Sequence, residues 1–334
     1  MTSPVPSTAR ERSVGASPAR TPDDGAPIPA VSFVVAVGAP VKDSAHLIPA
    51  RSRGPGVRIA ARRRCRTLLQ AWDVPHSLDH FETTLGSTMV VSTGKATGRP
   101  PVVVLLGAGL SAATVLAAVG AVARTHRVFV PDLPGEPGLS TSGRPRRRRL
   151  HAYGGWLDEM LPQLTDKPVI LAGHSLGAGI ALACTPSERI TGLVLLNPAG
   201  IVPVKRSFEL TKLRAASVRH TPRTNSERIL TYLSAPRFMP DDDVIDWFSM
   251  ATQYRFLGTL PRPLPARDLR RWARGVPIIV ATGEQDTLFP PGRLRGPVRA
   301  LLAADVQVLP RCGHLTLREF PGALTRLVES LAPT

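Results

Sequence analysis

From about residue 81 onward the chain alternates short apolar, β-branched runs with amphipathic stretches. The apolar runs are Val102 to Leu106, Arg127 to Val130, Val169 to Ala172, Leu193 to Leu196, Val276 to Ala281 and Val306 to Leu309. Between them lie helical patterns at Ser111 to Arg124, Leu150 to Leu164, Leu176 to Ala183, Arg293 to Ala303 and Thr316 to Leu331. Continuous apolar strands separated by helices bury both faces of a sheet, so the pattern predicts an α/β fold with a mostly parallel, doubly wound sheet. Ahead of it, residues 81–85 and 88–92 read as a hairpin turning at Gly86, and Arg62 to Trp72 reads as a short basic helix.

Two stretches interrupt the alternation. About 75 residues, Gly200 to Arg274, separate two core runs and carry three helical patterns at Ser207 to Arg219, Asn225 to Leu233 and Asp241 to Arg255. An insertion placed where a strand ends reads as a helical cap over the carboxyl edge of the sheet, about residues 200–274. Asp241 to Asp243 open its third helix, where the helix dipole favours negative charge. Residues 1 to about 60 hold nine prolines and no sustained period. Such a composition cannot offset its ordering entropy, so a disordered basic extension is expected over 1–60, followed by one domain over 61–334. Because a GC-rich reading frame can extend upstream of its true start, one hypothesis is that part of this extension is missing from the native protein. Mass spectrometry of the natural N-terminus tests it.

Charge changes this picture little. The 334 residues carry 42 basic and 25 acidic side chains, a net +17, and 37 of the basic residues are Arg. Arg, Ala, Gly and Pro all have GC-rich codons, so a genomic bias accounts for much of the excess. Residues 62–66 and the segment Arg144-Pro-Arg-Arg-Arg-Arg149 are the sharpest basic clusters, but they lack the interleaved aromatics of a nucleic-acid surface. They read as solvated, and no nucleic-acid partner is expected. Three scattered cysteines exclude a disulfide framework, no His, Cys and carboxylate set has metal-ligand spacing, and no apolar run is long enough to span a bilayer. A cytoplasmic location without membrane insertion, and no metal or cofactor, is the expectation.

The chemistry concentrates at Gly173-His-Ser-Leu-Gly177, which follows the run Val169 to Ala172 and opens the helix from Leu176. In a strand–turn–helix context the pattern G-x-S-x-G holds a strained serine at the apex of a sharp turn, and the flanking glycines avoid collisions with strand and helix. A serine hydroxyl needs a base to take its proton and a carboxylate to orient that base. Asp286 follows the run ending at Ala281, and His314 follows the run Val306 to Leu309, so both belong to loops at the same sheet edge as Ser175. Glu284 is a rival carboxylate, closer to its strand. Among the other histidines, His174 is adjacent to the nucleophile and must point differently, His46 lies in the extension, and His76, His80, His126, His151 and His220 lie before the sheet, at helix ends or in the cap. Cys312 reads as a packed small residue. For the oxyanion, the Leu176 N–H is one expected donor, and a backbone N–H of Ala108 or Gly109, after the run Val102 to Leu106, is the second.

Together these elements resemble the α/β-hydrolase superfamily over roughly residues 80–332. Val130 to Ser140 resembles that family's stretch after its next strand, and Asn197-Pro-Ala-Gly200 its passage into the cap. Leu106-Gly107 stands where His-Gly is usual, and Asn197 where some members carry their triad acid. The resemblance implies a cofactor-free serine hydrolase acting on a small acyl substrate. An apolar one is suggested by Val244, Ile245, Trp247, Phe248, Met250 and Phe256. Ester hydrolysis is the broadest class; thioester or carbon–carbon bond hydrolysis, and a non-catalytic ligand-binding protein of this fold, stay open as alternatives.

Overall fold

The computed structural model describes residues 47–49, 55–145, 147–205, 207–216, 221–254 and 262–331. In chain order its elements are β1 Leu47–Pro49, α1 Pro55–Gln70, β2 His76–Phe81, β3 Thr88–Thr93, β4 Val102–Leu105, α2 Leu116–Ala123, β5 Val128–Pro131, β6 Gly143–Pro145, α3 Arg149–Leu164, β7 Val169–His174 and α4 Leu176–Ala183. There follow β8 Ile190–Leu196, α5 Phe208–Ala216, α6 Pro222–Leu233, α7 Asp242–Ala251, α8 Ala266–Arg270, β9 Ile278–Gly283, α9 Pro291–Leu302, β10 Val306–Leu309, α10 Thr316–Glu319 and α11 Gly322–Glu329.

Eight strands form one sheet in the order β10-β9-β8-β7-β4-β5-β3-β2. The six from β10 to β5 are mutually parallel, and β3 and β2 close the edge in antiparallel pairing. β4, β5 and β7 are buried along their whole length, as expected of strands covered by helices on both faces. The order reverses between β4 and β7, and crevices at the carboxyl ends of strands at such a point are where ligands bind in open α/β sheets.

Three local expectations shift. The first hairpin strand runs over His76–Phe81, upstream of residues 81–85, because those residues form a turn: Gly86 N–H donates to the Thr83 carbonyl and Thr83 Oγ1 to the Gly86 carbonyl. Gly86 adopts φ +92°, which only glycine takes readily. The helical pattern Ser111 to Arg124 is split, since Thr114 Oγ1 returns to the Ser111 carbonyl and closes a 3-10 turn before α2. The final helix is broken at Pro321 into α10 and α11.

At the N-terminal end, α1 begins at Pro55 rather than near Arg62, and β1 pairs antiparallel with β6. Most of the expected disordered extension, residues 1–46 and 50–54, lies outside the described residues. The strand β6 also alters the reading of the Arg144 to Arg149 cluster as a solvated loop. Arg144 is buried in β6 and Arg149 forms an inward ion pair with Glu136, leaving Arg147 and Arg148 exposed. No helix among the described residues is long and apolar enough to cross a membrane.

Between β8 and β9 the insertion carries α5, α6, α7 and α8, the first three at the predicted places. Thr221 and Asp241 cap α6 and α7 by accepting from the Thr224 and Val244 N–H groups. Of the apolar positions singled out there, Val244, Trp247 and Phe248 are buried, Ile245 and Met250 half-buried, and Phe256 lies outside the described residues.

Candidate active site

β7 ends in a turn that forces Ser175 into φ 51°, ψ −113°, a region L-residues avoid. The glycines around it have steric reasons. A Cβ on Gly173 would stand 2.5 Å from Ala178 Cα, and one on Gly177 2.1 Å from the Leu105 carbonyl oxygen. The turn therefore exists only because both positions lack side chains, and α4 starts immediately behind the serine.

Two further loops converge on that serine. Ser175 Oγ lies 2.9 Å from His314 Nε2, and His314 Nδ1 lies 3.0 and 3.1 Å from the two oxygens of Asp286. An ionised carboxylate only accepts, so Nδ1 carries the ring proton and Nε2 is free to receive that of Ser175. The three residues are 5%, 4% and 2% exposed. Burial would raise the Asp286 pKa, but the adjacent His314 and hydrogen bonds from His314, the Phe289 N–H and Asn197 overcome it and hold the carboxyl down at about 2. Glu284, the rival, is exposed and accepts from the Arg311 N–H.

Several residues around the three carry no sequence motif of their own. Asn197, at the end of β8 and in a left-handed conformation, donates from Nδ2 to Asp286 Oδ2 at 2.8 Å and to the Gly313 carbonyl at 3.1 Å, while its Oδ1 accepts from Thr316 Oγ1 at 2.6 Å. His174, next to the nucleophile, turns toward the histidine loop: its Nε2–H donates to the His314 carbonyl at 2.8 Å. Burial, and then the nearby His314, push its pKa down to about 3, so it is a neutral donor. Its Nδ1 has no partner among the described residues. Glu319 accepts from the N–H groups of Gly313, Leu315 and Ala235, and the His314 N–H donates to the Leu233 carbonyl. The histidine loop is thereby docked on the end of α6.

Of the expected oxyanion donors, Leu176 opens α4 and its N–H has no acceptor among the described residues; the same is true of the Ala108 N–H. The Gly109 N–H is engaged, donating to Glu136 Oε2 at 3.0 Å. A Cβ on Gly107 would lie 3.2 Å from Ser175 Cβ, which places this loop directly against the serine.

The remaining candidates are accounted for elsewhere. His126 pairs with Thr125 Oγ1, His151 with Asp268, His76 with the Val74 carbonyl and His80 with Ser87 Oγ. His46 and His220 lie outside the described residues. Cys312 is buried with its Sγ on Thr316 Oγ1, and burial raises its thiol to about 11, far from a thiolate at neutral pH. No group of three metal-ligating side chains occurs among the described residues.

Comparison with known proteins places this geometry in a family. The sequence is 35% identical over 107 residues to the magnesium-chelatase 30 kDa subunit of Rhodobacter capsulatus, a match covering 31% of this chain and only 37% of that protein's length. It is 25% identical over 229 residues to 2-hydroxymuconate semialdehyde hydrolase of Pseudomonas sp. strain CF600, covering 62% of this chain and 76% of that enzyme. Among solved structures, the carboxylesterase CesB of Bacillus subtilis superposes with a TM-score of 0.69 at 18% identity, over 83% of this chain and 98% of that one. The alpha/beta hydrolase family profile matches residues 102–327, more than half of the chain. The sheet order, the serine turn and this match together establish that the chain belongs to the alpha/beta hydrolase family.

Proposed function

We propose that the protein is a serine hydrolase of carboxylic esters or closely related acyl compounds, working through an acyl-enzyme on Ser175. The observation that carries this reading is the continuous hydrogen-bond chain from Ser175 Oγ through His314 to Asp286, at 2.9 and 3.0 Å. Ser175 Oγ attacks the carbonyl carbon and passes its proton to His314 Nε2, while the carbonyl π pair moves onto oxygen. Leu176 N–H and Ala108 N–H receive that oxyanion; Ala108 is preferred to Gly109 because the Gly109 N–H already serves Glu136. Collapse breaks the bond to the leaving alkoxide, which takes the proton from His314. A water, deprotonated by the same nitrogen, then releases the acid and restores Ser175, so ester and water become acid and alcohol. Asp286 holds the imidazole tautomer and faces its positive charge in both halves.

The insertion over residues 200–274 acts as the cap that shapes an apolar acyl or alcohol pocket, and the substrate is a small molecule met in the cytoplasm. The experiment is Ser175→Ala: hydrolysis of p-nitrophenyl esters of graded acyl length falls to background while the melting temperature stays within a few degrees. Esterase activity retained by that variant would refute the assignment. Thioester and amide substrates in the same panel locate the preferred bond.

A further inference from the structure

The loop after β4 is pinned peptide by peptide. The Gly107 carbonyl receives the Leu110 N–H at 3.2 Å, the Gly109 N–H donates to Glu136 Oε2 at 3.0 Å, and the Gly109 carbonyl receives the indole Nε1–H of Trp247 at 2.7 Å. Three successive peptide units around Ala108 are thus fixed, and the Ala108 N–H remains without an acceptor among the described residues. Gly109 adopts φ +79° and has no side chain to keep the indole from its backbone.

Both holders are themselves secured. Glu136 is 5% exposed and its other oxygen takes Arg149 at 2.8 Å, so the core side of the clamp is a buried, paired carboxylate. Trp247 is 2% exposed and belongs to α7, in the insertion. The start of that helix is paired by Asp241 with Arg318, whose Nη1 also donates to the Thr114 carbonyl, and by Asp243 with Arg64 of α1.

We propose that Trp247 and Glu136 are positioning residues for the oxyanion loop, gripping Gly109 from the cap and from the core so that the Ala108 N–H is in place only while α7 is docked. The inference rests on the serine-hydrolase reading and deepens it. The cap then does more than bound a pocket. A docked α7 completes the machinery, and an undocked one leaves a serine with a single oxyanion donor.

Trp247→Phe keeps an aromatic ring, smaller than the indole, and removes the one side-chain N–H. With p-nitrophenyl butyrate, kcat is expected to fall about ten- to hundredfold, part of the loss seen when an oxyanion donor is deleted, with KM within about twofold of wild type. An alkyl trifluoromethyl ketone reports the same property without turnover. Its carbonyl carbon bonds to Ser175 Oγ, the serine proton moves to His314, and the resulting oxyanion needs both donors, so its Ki is expected to rise by the factor by which kcat/KM falls. Unchanged kcat and Ki, or a change in KM alone, would overturn the proposal. Leu269→Ala, a packing loss on α8 of the same insertion without a hydrogen bond, lowers the melting temperature and leaves kcat within about twofold; an equal loss of kcat there also overturns it. Glu136→Gln weakens the grip from the core side, is read by the same two ratios, and decides the matter should Trp247→Phe not fold. Failure of the wild-type protein to hydrolyse esters or take up the ketone would instead overturn the serine-hydrolase reading and this inference with it.

Discussion

Asn197 and Asp286, separated by 89 residues in sequence, meet at 2.8 Å, the amide donating to the carboxylate oxygen Oδ2. Leu288 and Phe289 N–H groups hold the other oxygen at 2.8 and 2.9 Å, so the carboxylate cannot rotate away from His314. Asn197→Ala leaves a buried carboxylate oxygen and the Gly313 carbonyl short of a donor, which costs about 2–3 kcal/mol of stability. Ester turnover is expected to fall about tenfold as Asp286 loses its fixed orientation. Asn197→Asp sets a second carboxylate against the first and is expected to be worse in both respects, because like charges at this distance disfavour joint ionisation. Denaturant unfolding and kcat for the two variants check the order.

Glu319 binds three backbone N–H groups at 2.8 to 2.9 Å, two from the His314 loop and one from Ala235 just beyond α6. Glu319→Ala orphans all three. The expected result is a loss of about 3 kcal/mol or more, with turnover reduced further than protein yield, because the loop that carries His314 loses its anchor. Activity per folded molecule, measured after active-site titration, separates the two effects.

Gly177→Ala is expected to abolish soluble expression. Its Cβ would lie 2.1 Å from the Leu105 carbonyl, backbone that belongs to the central strand and cannot yield cheaply, at a cost of at least about 3 kcal/mol. Gly155→Ala, where the space is open, serves as the control and is expected to fold like wild type.

His174 makes stability depend on acidification. Its folded pKa of about 3 lies below the unfolded value of 6.5, so the unfolded chain binds a proton that the folded one refuses. The contribution is complete above pH 6.5 and is lost progressively as the pH falls toward 3, by about 2 kcal/mol at pH 5. Asp132 works in the opposite direction. Burial raises it to about 6, so the fold gains stability from that residue as the pH falls from 6 toward 3.8. Comparing wild type with His174→Asn isolates the histidine: unfolding free energy should drop less for the variant between pH 7 and pH 5. Equal drops would remove His174 from the account.

What was legible in the sequence was what depends on near neighbours or on period. The parallel strands declared themselves as apolar runs, and the serine turn through glycines whose necessity is local. Ser175, Asp286 and His314 could be aligned because each follows a strand, and strand ends share one edge. The network that holds them was not legible. Trp247 reaches Gly109 across 138 residues, and nothing near either residue announces the bond. Glu136 carries no signal of its own in a Pro- and Gly-rich stretch, and its bond to Gly109 forms only where β5 and β4 pair and bring the two loops together. The hairpin strand lies upstream of the expected residues because Leu85, apolar and buried, belongs to the turn rather than to a strand.

In the proposed mechanism Ser175 is a nucleophile activated by His314 and Asp286. Treating the full chain with a fluorophosphonate and mapping the adduct by mass spectrometry tests it most directly. The expected result is one adduct per chain on the peptide containing Ser175, absent in Ser175→Ala and formed at least about a hundredfold more slowly in His314→Ala. A natively folded protein that takes no adduct at Ser175, or that labels equally fast without His314, would contradict the account.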